Sequence, residues 1–145
     1  MKPSLKPGLT NRFSYTVPIT KTVPHLYEEA PELAAMPEVF ATGFMVGLME
    51  WTCVQLLAPH LDPGEGSLGV HIDVAHKATT PVGFTIAVEA ECLEVRGLGP
   101  SLSSGPMTAS TRSALVSMNG LIVNWNRFNK SVAAKAATVN AEVDS

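Results

Sequence analysis

The sequence predicts an α+β fold in which an antiparallel sheet wraps around one central helix. Three observations predict it: an early segment with period-two alternation, a long mid-chain run that is apolar on almost every face, and two further alternating segments beyond a turn. At 145 residues the chain has the size of one ordinary domain, large enough to bury a core without disulfides or metal. A single domain over residues 1–145 is therefore expected.

Taken in order, RFSYTVPIT places Phe13, Tyr15 and Val17 on one side, as a half-buried first strand requires, and Pro18 confines its far end to an edge. The stretch from there to Pro37 holds Pro24, Pro31 and several acidic residues and reads as an irregular candidate lid with at most short helical turns. From Glu38 to Ala58, EVFATGFMVGLMEWTCVQLLA reads as a helix, with Pro37 suited to the first turn and Pro59 to the stop. A helix apolar all round must be enclosed. Gly43 and Gly47 each cost about 1 kcal/mol of helix propensity against Ala, which points to close approach of a backbone or ligand.

After the turn DPGEGS, the run SLGVHIDVAHKA alternates Leu68, Val70, Ile72 and Val74 against Gly69, His71, Asp73 and Ala75, a strand. GFTIAVEAECLEV repeats the pattern, with Phe84, Ile86, Val88, Ala90 and Cys92 opposite Thr85, Glu89 and Glu91, and is expected to pair with the preceding strand through TTPVG. LIVNWNRF gives a further short strand, and the Ala-rich tail beyond about residue 131 is expected to be partly disordered. Residues 97–120 break the pattern: GLGPSLSSGPMTASTRSALVSMNG is rich in Gly, Ser and Pro, without sustained alternation, where the sheet needs a long strand and a hairpin.

Composition narrows the function. The net charge is −3 and the ten Lys and Arg residues are spread out, which disfavours nucleic acid as a partner. Cys53 and Cys92 stand 39 positions apart with no CxxC, which argues against a zinc site or a disulfide scaffold and fits a reducing cytoplasm. The first residues lack the apolar stretch of a signal peptide, and the longest apolar run, Val39 to Met49, is too short to span a bilayer, so no membrane association is expected.

Within the apolar helix stand one hydroxyl, Thr42, and one carboxylate, Glu50, and burying an ionised carboxylate without partners costs several kcal/mol. The competing reading sets Glu50 at the helix surface and bonds Thr42 back to a helix carbonyl. His76, at the end of an alternating strand, reads more readily as a satisfied structural histidine than as a catalyst. His25, His60 and His71 accompany no carboxylate at a recognisable spacing, Gly69 marks a bulge or the close passage of a ligand, and Met45 and Met49 read as core. No GxSxG, P-loop, GxGxxG or HExxH is present.

In order, KTVPHLY, PEVFATGFMVGLMEW, PGEGSLG and VAHKATTPVG together resemble the fluoroacetyl-CoA thioesterase family, acyl-CoA thioesterases of the hotdog fold. Coverage runs over residues 10 to 96 and returns at 121 to 131, in RFNK and its neighbours. The resemblance implies a homodimer of hotdog subunits with the acyl group near the central helix at the subunit interface, and neither cofactor nor metal. It sets the catalytic threonine on Thr42 in FATGFMVG, the catalytic glutamate on Glu50 in GLMEW and the histidine on His76 in VAHKATTP. The fluorine-contacting glycine is then Gly69, and Val23, Leu26, Leu33 and Met36 form an apolar lid, although the family carries aromatic residues at the last two.

The family also implies a strand, a turn and a His-Glu-Arg stretch across residues 97–120, and this chain has no arginine in that place. We read the segment as a candidate frame-shifted stretch. Met107 and Met118 are each encoded by ATG, so a one-base offset gives Asp across Met107 and Thr108 and Glu across Met118 and Asn119. Permitted codons elsewhere yield AHDGIDPIGTRQHER, which runs into Leu121 and looks like the absent strand pair. The function that follows is hydrolysis of a short-chain acyl-CoA, fluoroacetyl-CoA foremost. The alternatives are a thioesterase for another small acyl-CoA and a non-catalytic acyl-CoA-binding hotdog protein.

Overall fold

The computed structural model describes residues 1–97, 99–107 and 114–143, the side chains of 102–107, 114–118 and 139–143 apart. Strands β1 (Thr10–Thr16), β2 (Glu65–His76), β3 (Thr85–Arg96), β4 (Gly99–Met107) and β5 (Ala114–Asn124) form one antiparallel sheet in the order β1-β3-β4-β5-β2. Helix α1 (Pro31–Ala34) belongs to the irregular segment after β1, α2 (Thr42–Leu57) packs on the sheet, and α3 (Trp125–Val143) follows β5. This is the helix-in-sheet arrangement the sequence predicts.

Alternation correctly assigns the inner faces of β1 and β3, except that Phe84, just before β3, is 59 % exposed. Ile86, Val88, Ala90 and Cys92 are buried, and they meet Met45, Leu48, Met49, Cys53, Leu56 and Leu57 of α2 in one apolar cluster, with Phe13 and Tyr15 packed against it. Burial of this kind removes apolar surface from water at about 25 cal/mol per Å², the dominant favourable contribution to the fold. The same burial pushes the Cys92 thiol above its ordinary range.

Several expectations are corrected. Helix α2 begins at Thr42, not Glu38, so Pro37 lies outside its first turn. After a tight turn in which Val39 N–H donates to the Pro37 carbonyl, residues 39–41 are held outside the helix because Phe40 N–H donates to the Thr80 carbonyl and Ala41 N–H to the Lys21 carbonyl, with isolated bridges Thr22 to Phe40 and Val39 to Pro81. The same bridging carries the 77–84 segment past the start of α2, so β2 and β3 do not form the expected hairpin. Instead β2 pairs with β5, and β3 lies between β1 and β4.

Strand β2 is an edge strand, and alternation did not predict its burial. From Gly69 to Ala75 it is exposed on both faces, and a register shift between Gly69 and His71 turns Val70 outward, 61 % exposed. Helix α2 likewise is not enclosed on every side: Trp51 and Val54 are exposed along one stripe.

Strands β4 and β5 occupy most of the segment that lacks alternation. Backbone N–H and C=O groups pair regardless of side-chain pattern, and Gly99 passes so close to Gly120 that a Cβ there would lie 1.9 Å from the Gly120 carbonyl oxygen. Residues 98 and 108–113, Arg112 included, lie outside the described residues, as do the side chains of Met107 and Met118. The tail differs from expectation as well. WNRF opens α3, which continues to Val143, because the Ala-rich composition favours helix once Trp125 docks on Gly66 of β2.

Candidate active site

Helix α2 starts without a side-chain cap: Ala41 occupies the N-cap position, and Thr42 is the first helical residue. N–H groups in a first turn lack intrahelical partners and lend the end a partial positive charge, so this end favours developing negative charge. His76 closes β2, and its Nδ1 lies 2.9 Å from the Thr42 hydroxyl. With the ring proton on Nε2 the hydroxyl donates to Nδ1, leaving Nε2–H to donate outward; with the proton on Nδ1 the ring donates to the hydroxyl. Thr42 bonds His76 and not a helix carbonyl, unlike the competing reading.

Glu50 is half-buried, without an ion-pair partner among the described residues, and opens on a shallow cleft of about 10 Å³ between α2 and β2. Ser67, Leu68 and Gly69 of β2 line that cleft, with Val54 and Cys53 of α2 and Gly120 of β5. Gly69 stands directly opposite Gly120 in the β2–β5 register, so the sheet wall is bare of side chains there. The bulge beside Gly69 answers the sequence reading of a bulge or a ligand passage.

Within one protomer the candidate residues fall into two groups. Thr42 meets His76, and Glu50 meets Gly69. Along α2 the two groups are separated by about 12 Å at ~1.5 Å per residue, and along β2 by about 23 Å at ~3.3 Å per residue. The lid residues are also divided. The Leu26 side chain lies against α2, 3.1 Å from where a Cβ on Gly43 would stand, whereas Met36 is 48 % exposed. Val23 and Leu33 are half-buried.

Sequence reasoning did not anticipate Ser67, Leu68 or Gly120 in the cleft. Gly120 lay at the end of the segment without alternation, and no local pattern marked it. Of the other histidines, His25 bonds Thr22 through Nδ1, and His60 bonds Ser4. Among the described residues, no group of three His, Cys, Asp or Glu side chains could hold a metal ion.

A family model of the fluoroacetyl-CoA-specific thioesterases matches residues 23–100, ending where the segment without alternation begins. The fluoroacetyl-CoA thioesterase of Streptantibioticus cattleyicolor is 57% identical over 97 residues, which make up 67% of this chain and 70% of that protein. Among solved structures, a threonine-to-alanine mutant of a fluoroacetyl-CoA thioesterase in complex with fluoro-acetate superposes with a TM-score of 0.86 at 44% identity, covering 90% of this chain and 98% of that one. A thioesterase superfamily member from Thermus thermophilus shares the fold, at 21% identity and a TM-score of 0.82 over 97% of this chain and 99% of that one.

Proposed function

The chain belongs to the fluoroacetyl-CoA-specific thioesterase family, and from that membership we propose that it hydrolyses a short-chain acyl-CoA, fluoroacetyl-CoA to fluoroacetate and CoA foremost, and so serves fluoroacetate resistance. The observation that carries the reading is the Thr42–His76 hydrogen bond at the uncapped start of α2.

Thioester hydrolysis needs an attacking oxygen, donors for the oxyanion and a proton for the departing thiolate. In our reading the Glu50 carboxylate either removes a proton from the attacking water or itself attacks the carbonyl carbon, giving an acyl anhydride that water then opens. In both routes the C–S bond breaks, His76 gives a proton to the CoA thiolate, and the proton that the attacking water releases restores it. Thr42 orients the imidazole, and the first-turn N–H groups of α2 offer donors to the oxyanion. Label found in the Glu50 carboxylate after single turnover in ¹⁸O-water shows the anhydride route with water opening it at the Glu50 carbonyl; opening at the acyl carbonyl puts the label in the product acid, as the direct water route does.

Glu50 and the Thr42–His76 pair act on one substrate if two protomers join through the free edge of β2. An antiparallel pairing about a two-fold axis between Ile72 and Asp73 sets Gly69 opposite the partner's His76, which unites Glu50 of one protomer with the Thr42–His76 pair of the other. An exposed edge strand invites such pairing. The same arrangement supports a homodimer with the acyl group at its interface. Among the described residues no helix is long and apolar enough to cross a membrane, and we assign the reaction to the cytoplasm.

A second reading, hydrolysis of another small activated acyl-CoA, is favoured by the exposed Met36 and by Leu33 in a lid where aromatic side chains were expected. Discrimination between hydrogen and fluorine by an apolar pocket is worth only about 1–3 kcal/mol, roughly 10 to 200-fold. Turnover of fluoroacetyl-CoA against acetyl-CoA decides between the readings, and a preference below about tenfold removes the resistance role. Glu50→Gln is expected to lower kcat by at least about a hundredfold; hydrolysis equal to wild type in that variant ends the catalytic assignment.

A further inference from the structure

A second cleft lies on another flank of α2, against β1 and away from the Thr42–His76 pair. Its volume is about 280 Å³, and its walls are aromatic: Tyr15, Phe40, Phe44 and Trp51. Trp51 is backed by Phe13, with ring centroids 4.7 Å apart. That volume stands at the lower bound, about 300 Å³, of small-molecule sites, whose linings are likewise mostly apolar.

Two features are unexplained by the chain's own packing. Lys21 holds its ammonium 4.4 Å from the centre of the Phe44 ring at the rim of the cleft, half-buried and without a carboxylate partner among the described residues. A cation held over an aromatic face in an apolar rim is poised for an anion. Gly47 forms part of the floor, in the middle of a helix whose propensity it weakens, yet a Cβ added there would meet nothing within 4 Å. No residue of this chain requires the missing methyl, and its absence deepens the cleft. Gly43 differs, since Leu26 already fills the space above it.

We propose that this cleft is a second ligand site, for a small amphiphilic carboxylate: an apolar body of medium length laid over Gly47 between the aromatic walls, with its carboxylate on Lys21. The site is independent of the catalytic assignment, because none of its residues belongs to the Thr42, Glu50 and His76 set.

Octanoate is the probe, followed through the Trp51 indole N–H resonance in ¹⁵N-labelled full-length protein. The expected result is a saturable shift that an excess of fluoroacetate does not reverse. Gly47→Leu, whose side chain occupies the cleft, is expected to weaken binding at least about tenfold, and Lys21→Gln about threefold, the scale of a partly exposed ion pair. Octylammonium is expected not to bind. If Gly47→Leu fails to fold, Lys21→Gln and the octylammonium comparison carry the test. An unmoved Trp51 resonance, binding unaffected by either substitution, or equal binding of octylammonium overturns the proposal. A Trp51 resonance that responds to protein concentration and not to octanoate overturns it too, and assigns the cleft to a second copy of the chain.

Discussion

Two threonines of α2 show how position within a helix decides what a hydroxyl does. Thr52, mid-helix and buried, donates back to the Leu48 carbonyl one turn earlier. Thr42 has no helical carbonyl one turn earlier, because it is the first residue of the helix, so its hydroxyl is available to His76. Thr42→Val keeps the shape and removes the hydroxyl. Since the residue is exposed, the expected cost in stability is below about 1 kcal/mol, while kcat is expected to fall by about ten- to a hundredfold, with Thr42→Ser restoring much of it. Thermal melts and steady-state kinetics on the two variants check this, and an unchanged kcat in Thr42→Val removes Thr42 from the mechanism. The candidate residues were legible from motif order alone, but nothing local in FATGFMVG or VAHKATTP states that the hydroxyl and the imidazole touch.

Secondary elements were legible where periodicity matched burial, as in β1 and β3, and less so where a neighbouring segment decided the outcome. Helix α3 is the clearest case. Its first residue, Trp125, lies flat on Gly66 of β2, where an added Cβ would come within 2.0 Å of the indole, and Phe128 meets the same indole edge-on at 5.8 Å. Gly66→Ala is expected to displace Trp125 and destabilise the protein by about 1–3 kcal/mol, the range for forced overpacking. Urea unfolding followed by Trp fluorescence measures the loss, and a midpoint equal to wild type shows the docking to be without consequence. Strands β4 and β5 raise a different point. Their residues lack the alternation that strands with one buried face show, yet the backbone pairs, and the family match stops at residue 100. We attribute this to an offset reading frame over residues 105–120. Coding DNA that yields AHDGIDPIGTRQHER in the offset frame is the expected finding, and codons that do not yield it end the idea.

The whole molecule presents its catalytic candidates as two halves, Thr42 with His76 and Glu50 with Gly69, along one edge strand. If the halves are completed across a two-fold axis, two inactive variants should complement. Mixing Thr42→Ala with Glu50→Gln under exchange conditions creates mixed dimers that hold one intact site each, and random pairing then restores about a quarter of wild-type activity. No recovery, with exchange demonstrated by mass, places all three groups in one protomer and removes the proposed interface. The edge position of β2 also explains why its burial was not legible: alternation reports that a strand has two chemically different faces, not which partner covers them.

By itself the sequence determined the element types, the family and the identities of the candidate catalytic residues, because period and motif order are properties of neighbouring residues. Only the tertiary structure decided that α2 starts at Thr42, that β2 pairs with β5 and not β3, that Thr42 meets His76, and that a cationic aromatic cleft opens beside β1. Each of these depends on groups far apart in the chain, whose meeting is set by the competition among long-range backbone hydrogen bonds and apolar contacts that no local pattern encodes.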